Sequence, residues 1–139
     1  MPQRTVRVHG GRKFTRVVGI GPHKLISDEP EPFGSDTGPT PTEFLLAALA
    51  TCTSMTVQMY AERKGWELTE IGVSTQMDYR SGPRGQIIKE VQVAGNLDTE
   101  QINRLAAIAD RCPVQRMLSE SVVVQTRTLV RPTDLSTAA

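Results

Sequence analysis

The sequence contains 139 residues, with 16 basic and 15 acidic side chains and a formal net charge of +1. This balance argues against a nucleic-acid-binding protein with a basic surface, and the length favours a single domain over 1–139. Hydrophobic residues make up 38% of the chain and aromatic residues only 4%, so we expect a soluble protein with an aliphatic core. Because no apolar run approaches about 20 residues and the start lacks a signal peptide, we expect a cytoplasmic protein without a membrane contact.

The first 28 residues alternate between apolar and polar side chains. This pattern predicts a three-stranded antiparallel meander with strands at 5–8, 14–18 and 23–26. A loop follows over 29–39, where three prolines and two glycines prevent either a helix or a strand from continuing. Its length suggests a role beyond connection.

A strong helix start follows this loop. Thr40 occupies the N-cap position, Pro41 the first helical position and Glu43 the third, which together form a capping box. The sequence predicts a helix over 41–64, about 36 Å long at 1.5 Å per residue. Since the segment 44–50 is apolar on every side, one sheet cannot cover it, and we expect a second subunit to cover the remainder.

The second half of the chain predicts a hairpin, two helical segments and a last strand. The overall order βββ-α-ββ-α-β is typical of an α+β domain. The predicted elements are strands at 71–79 and 87–93, a helix that begins after Asp98, a short helix capped by Cys112 and running to Leu118, a final strand at 122–130 and a frayed tail at 132–139.

Two cysteines are the main candidates for chemistry. Cys52 lies within the long predicted helix among threonine and serine residues, and Cys112 lies at a predicted helix start. The free N–H groups of that helix start, together with Arg111 or Arg116, would lower the pKa of the Cys112 thiol. The two thiols could therefore form a redox pair, although cysteines also often simply pack in a core. Two scattered cysteines and the isolated His9 and His23 do not predict a zinc site or another cofactor.

Three sequence segments resemble the OsmC/Ohr family. They are Thr37–Thr56, which contains the Gly-Pro-Thr-Pro-Thr-Glu motif and Cys52, then Met59–Trp66, and finally Ala109–Val114 around Cys112. The segments have the order and separation of the family motifs. The chain is most similar to the OsmC-like branch, and the resemblance extends over nearly its whole length.

The resemblance implies a fold, an activity and partners. The fold would be an intertwined homodimer with two long central helices between two antiparallel sheets. The activity would be that of a thiol peroxidase in which Cys52 attacks an organic hydroperoxide and Cys112 resolves the product through a Cys52–Cys112 disulfide. A dithiol reductant, a lipoyl protein in family members, would restore both thiols by exchange.

The resemblance also implies an arginine and a glutamate that assist the peroxidatic cysteine. The Gly-Gly-Arg of the first hairpin assigns the arginine to Arg12, with Arg16 as the second candidate. Glu43 is the candidate glutamate, yet it lies one position beyond the family position, where this chain has Thr42. It precedes Cys52 by nine residues, which places it on the opposite helix face, and the capping box accounts for it without catalysis.

Two functions from different classes are therefore compatible with the sequence. The cysteine pair favours an organic hydroperoxide reductase that acts in oxidative stress defence. Gln115 stands where many relatives carry histidine or serine, and glutamine does not exchange a proton near neutral pH. This substitution and the shifted Glu43 favour the alternative, a dimer that binds a small apolar ligand or senses redox state with slow thiols.

Overall fold

The computed structural model describes residues 3–11 and 13–128. The described residues divide into two compact units, one that contains the residues up to 44 together with 125–128 and another that contains 45–124. Both units contain antiparallel sheets, and the α+β class predicted from the sequence is confirmed. Arg12 and the predicted tail at 132–139 lie outside the described residues.

The N-terminal unit contains the predicted three-stranded meander. Its strands are β1 (Val6–His9), β2 (Arg16–Ile20) and β3 (His23–Ser27). β2 lies in the centre and pairs antiparallel with both neighbours. The strands begin and end within two residues of the predicted bounds, because alternation identifies a strand better than it identifies its last hydrogen bond.

Asp28 organises the loop that follows β3. It is 1% exposed, and its two carboxylate oxygens accept hydrogen bonds from Thr15 Oγ1, Glu29 N, Ser35 N and both Thr37 N and Thr37 Oγ1. These donors, led by the Thr37 hydroxyl, hold the pKa of Asp28 well below its ordinary value despite burial. The loop after β3 is therefore fixed by one ionised carboxylate.

Replacing Asp28 with asparagine is expected to lower the melting temperature by several degrees at about pH 7, since the amide supplies one acceptor oxygen in place of two. The folded pKa is lowered, so the stabilisation is present above the unfolded pKa of about 4 and is lost as the pH falls below it. The difference between the two proteins should therefore shrink at about pH 3. Thermal unfolding at both pH values measures this, with the exposed Glu31→Gln as control. Equal melting temperatures at neutral pH would show that the carboxylate does not hold the loop.

Helix α1 (Pro41–Lys64) begins and ends at the predicted residues. Thr40 N donates to Glu43 Oε1 at 2.8 Å and Glu43 N donates to Thr40 Oγ1 at 3.2 Å, which completes the capping box. At the other end Gly65 has a φ of +71°, a left-handed conformation that glycine adopts without strain and that ends the helix.

The C-terminal unit packs helices against a long hairpin. Its elements are the body of α1 from residue 45, the strands β4 (Glu67–Asp78) and β5 (Gln86–Asn96), and the helices α2 (Thr99–Ala109) and α3 (Pro113–Ser119). The core cluster consists of Val57, Ala61, Leu105 and Ala109, against which hairpin residues such as Ile71, Val91 and Val93 pack.

Two stripes along α1 differ in exposure. The buried face carries Leu49, Thr53, Val57 and Ala61, each four residues after the last. The other face is apolar yet exposed: Leu45 is 40% exposed, Met55 and Met59 are each 60% exposed, and Ala48 and Cys52 lie between them. We call the five residues Leu45, Ala48, Cys52, Met55 and Met59 the exposed stripe.

The predicted strand at 122–130 is not formed over its described part. Residues 122–128 pair with no described strand, and Val123 and Val124 are more than 80% exposed. A run of valines has a high strand propensity, but a strand forms only beside a neighbour that accepts its hydrogen bonds. Residues 129 and 130 lie outside the described part of the chain.

One helix has a length and a composition that invite comparison with a membrane span. By length and composition α1 could cross a membrane, because an 18-residue window within it has a mean hydropathy of 1.3. It is the single helix of this kind among residues 3–11 and 13–128. A core helix of a soluble protein meets the same criterion, so one such helix is weak evidence for a membrane span.

Candidate functional site

The two cysteines come from different elements of the C-terminal unit. Cys52 lies on the exposed stripe of α1 and is partly exposed. Cys112 lies between α2 and α3 and is fully buried, with 0% exposure. Both are free thiols. The site therefore combines one accessible thiol with one that solvent does not reach.

The sulfur of Cys112 accepts two hydrogen bonds. Thr53, the residue after Cys52 on α1, donates its hydroxyl to Cys112 Sγ at 3.3 Å. Gln115 N donates to the same sulfur at 3.4 Å, so that Cys112 acts as the N-cap of α3 as predicted. Pro113 occupies the first position of α3, which fixes the backbone for this cap.

A lysine that the sequence analysis did not single out lies next to this sulfur. Lys89 on β5 donates from Nζ to Thr53 Oγ1 at 3.1 Å, to Ala109 O at 2.8 Å and to Gln115 Oε1. Its side chain is 11% exposed, and Asp110 Oδ1 lies 4.0 Å from Nζ. A signal for this residue was present in the sequence, because Lys89 stands at an inward position of a strand between Ile87 and Val91.

The pKa of the Cys112 thiol is lowered from its ordinary value. Burial alone would raise it, but the hydrogen bonds from Thr53 and from Gln115 N act in the opposite direction. Hydrogen bonding by the Cys52 side chain and the positive charge of Lys89 lower it further. The hydrogen bonds from Thr53 and Gln115 N and the nearby positive charge of Lys89 therefore favour ionisation of the buried thiol.

The sequence analysis predicted a positive charge beside Cys112. The structure has such a charge, but it comes from a residue other than the two that were predicted. The cation beside the sulfur is Lys89, whereas Arg111 and Arg116 are exposed. The hydroxyl cluster around Cys52 also serves differently than expected, since Thr53 binds Cys112 and Ser54 Oγ donates to Thr51 O at 2.8 Å. Sequence spacing gives the helix face of each hydroxyl but does not reveal such contacts, because they depend on which distant element packs against that face.

The other predicted site residues are Glu43, Arg12, Arg16 and Gln115. Glu43 is engaged in the capping box within the N-terminal unit, and Arg12 lies outside the described residues. The alternative arginine, Arg16, donates from Nη1 to the carbonyl oxygens of Lys13 and Thr15. Gln115 accepts from Lys89, so its side chain supports the lysine. Within 3–11 and 13–128, no three His, Cys, Asp or Glu side chains form a group that could hold a metal ion.

A cavity of about 390 Å³ opens beside Lys89 in the C-terminal unit. Leu49, Ile87 and Leu118 supply apolar wall, while Asp110 and Gln115 supply polar wall. Neither cysteine lines this cavity. The apolar surface nearest to Cys52 along its own helix is instead the exposed stripe, with Ala48 and Met55 one turn away on either side.

A protein-family model for OsmC-like proteins matches residues 34–127, which include both cysteines. The chain belongs to the OsmC-like protein family. No curated protein sequence matches this OsmC-like chain.

Solved structures with the same fold are similar to this OsmC-like chain at low sequence identity. The OsmC-like protein of Mycoplasma pneumoniae has a TM-score of 0.73 and 16% identity, covering 86% of this chain and 89% of its own. An organic hydroperoxide resistance protein OsmC from Legionella pneumophila has a TM-score of 0.64 and 20% identity, covering 85% and 90%. The organic hydroperoxide resistance protein OhrB of Bacillus subtilis has a TM-score of 0.58 and 20% identity, covering 86% and 92%.

Proposed function

We propose that this protein is a cysteine-based peroxidase that reduces organic hydroperoxides and so acts in oxidative stress defence. The observation that carries the proposal is the cysteine pair on adjoining elements: Cys52 is a partly exposed thiol of α1, and the hydroxyl of the next residue, Thr53, donates to the sulfur of the buried Cys112, whose pKa is lowered. Structural neighbours named as organic hydroperoxide resistance proteins support the same class of activity.

The first chemical step takes place at Cys52, because it is the thiol that solvent reaches. Its thiolate attacks one peroxide oxygen, the O–O bond breaks, and the leaving alkoxide takes up a proton to become an alcohol. Cys52 thereby loses two electrons to the peroxide and becomes a sulfenic acid. We propose the roles that the family resemblance implies for two further residues: Arg12 would stabilise this thiolate and hold the peroxide, and Glu43 would orient the arginine.

The second step forms the Cys52–Cys112 disulfide. The Cys112 thiolate attacks the sulfur of the Cys52 sulfenic acid, the S–O bond breaks, and the hydroxide leaves as water after taking up a proton. A dithiol, such as a lipoyl group carried by a partner protein, then supplies two electrons and two protons to restore the thiols. The hydrogen bond from Thr53, the residue after Cys52, to Cys112 Sγ supports this pairing, because it brings Cys112 against the part of α1 that carries Cys52.

The protein should also act as a homodimer. The exposed stripe of α1 has the spacing of three and four residues that pairs helices side by side. An apolar face of this length is typically covered in a soluble protein. A second copy of the chain would cover its methionines and would place apolar side chains beside Cys52.

Mixing reduced protein with cumene hydroperoxide or hydrogen peroxide in a stopped-flow instrument tests this function. Because Cys52 has apolar neighbours, we expect the organic peroxide to react at least about tenfold faster than hydrogen peroxide. We also expect both rates to exceed that of free cysteine. A protein that reacts no faster than free cysteine would instead favour the binding or sensing function with slow thiols.

A further inference from the structure

The three N–H bonds of Lys89 are all committed inside the protein. An ammonium group has three donors and no acceptor, and here the acceptors are Thr53 Oγ1, Ala109 O and Gln115 Oε1. The ammonium is therefore held in one place by α1, α2 and α3 together. It has no donor left for a substrate anion, although the cavity opens beside it.

One of these three contacts leads directly to a sulfur. Lys89 Nζ donates to Thr53 Oγ1, so the hydroxyl proton of Thr53 points away from the lysine and toward Cys112 Sγ, to which it donates. A positive charge at one end of such a chain strengthens the hydrogen bond at the other end. These two linked hydrogen bonds thus favour the ionised, negatively charged form of the Cys112 sulfur.

We propose that Lys89, acting through the Thr53 hydroxyl, is a positioning residue that stabilises the Cys112 thiolate and directs the reducing thiol to Cys52. This inference rests on the proposed Cys52–Cys112 disulfide. In thiol–disulfide exchange, the incoming thiolate forms a bond to one sulfur of the disulfide. The S–S bond breaks, and the other sulfur leaves as a thiolate. The more stable thiolate leaves faster, and it is Cys112.

The exposure of the two cysteines also predicts that the reducing thiol attacks Cys52. Cys112 is 0% exposed, whereas Cys52 is partly exposed on α1. An external thiol therefore reaches Cys52, forms a mixed disulfide there and expels Cys112. The second thiol of the dithiol then attacks its own sulfur in that mixed disulfide, which closes the oxidised reductant and releases Cys52 as a thiolate.

The other charged groups around Cys112 are too exposed, or too engaged with other partners, to stabilise its thiolate as Lys89 does. Asp110 lies 4.0 Å from Lys89 Nζ but is 72% exposed and accepts from Gln115 Nε2. Arg111 is exposed, and Arg116 Nε lies 3.9 Å from Glu120 Oε1. Cys52 is the remaining titratable group that acts on Cys112. Lys89 is thus the shielded cation of the site.

The first test titrates Cys112 in the Cys52→Ser background, where it is the sole thiol. Thiolate absorption in the ultraviolet is followed against pH. Thr53→Val removes the hydroxyl with little change of shape, and we expect about tenfold less thiolate at a given pH below the pKa. Thr53→Ser keeps the hydroxyl and should restore it. Lys89→Met should act like Thr53→Val, whereas Lys24→Met, at an exposed lysine of β3, should have no effect.

The second test locates the mixed disulfide. The wild-type protein is oxidised with diamide, treated briefly with one equivalent of glutathione, quenched with acid and mapped by peptide mass spectrometry. We expect glutathione on the peptide that contains Cys52. An adduct mainly on Cys112, a failure of diamide to link the cysteines, or a Cys112 titration unchanged by both Thr53→Val and Lys89→Met would overturn the inference.

Neither test requires a hydroperoxide. If the titration and the mapping give the expected results while cumene hydroperoxide is not reduced, the proposed peroxidase function fails and the role of Lys89 stands. If the peroxide is reduced rapidly and the titration does not depend on Lys89 or Thr53, the role of Lys89 fails alone.

Discussion

Replacing Cys52 with serine is expected to lower the rate of hydroperoxide consumption at least about a thousandfold, because a serine hydroxyl is not ionised near neutral pH and is a poor nucleophile toward peroxide. Replacing Cys112 with serine should have a different effect. Cys52 would still be oxidised once, and the reaction would then stop at the sulfenic acid because no resolving thiol follows. Dimedone should label Cys52 in that variant, and mass spectrometry would detect the label.

Both variants are expected to fold. Cys52 is partly exposed, so the smaller oxygen leaves no buried cavity there. Cys112 is the N-cap of α3, and serine is a preferred residue at that position. The hydroxyl introduced by Cys112→Ser could also accept the hydrogen bonds that the sulfur accepts from Thr53 and Gln115 N. Circular dichroism and thermal unfolding check this before the kinetics are compared.

The contrast between the two variants decides which thiol reacts first. Accessibility favours Cys52, whereas the lowered pKa favours Cys112. Peroxide must reach the sulfur before the ionisation state of that sulfur matters, so accessibility should decide. If Cys112→Ser loses the first oxidation and Cys52→Ser retains it, the roles are reversed and the buried thiol must become exposed during the reaction.

The sequence predicted those elements whose signals are local. The capping boxes at Thr40 and Asp98 and the proline after Cys112 lie within a few residues of the helix starts that they specify, and α1, α2 and α3 begin where predicted. The strand at 122–130 depends on a pairing partner elsewhere, which residue preference cannot supply. Local signals are therefore reliable for helix starts and insufficient for strands that need a distant neighbour.

The candidate site shows the same difference between local signals and contacts with distant parts of the sequence. The motifs located Cys52 and Cys112, and the N-cap position of Cys112 could be inferred from Pro113. Lys89 could not be connected with them, because its contacts join β5 to Thr53 and Gln115 over 36 and 26 residues of sequence. An inward lysine on a strand signals a buried charge, but the sequence does not say which group compensates it.

A charge placed on the exposed stripe is expected to dissociate the protein into monomers. The wild-type protein should sediment with about twice the chain mass of 15.2 kDa. Burying a methionine contributes about 1.5–3 kcal/mol, and an aspartate in its place would also have to lose its water. Since a symmetric dimer carries each substitution twice, Met55→Asp should raise the dissociation constant at least about a thousandfold, or about 4 kcal/mol.

Met117→Asp is the matched control, because Met117 is a similarly exposed methionine, at 49%, on α3 and off the exposed stripe. It should leave the dimer intact. Sedimentation velocity across a range of concentrations measures both variants beside the wild type. A wild-type protein that sediments as a folded monomer would contradict the dimer, while equal weakening by Met55→Asp and Met117→Asp would show that the subunits do not meet along α1.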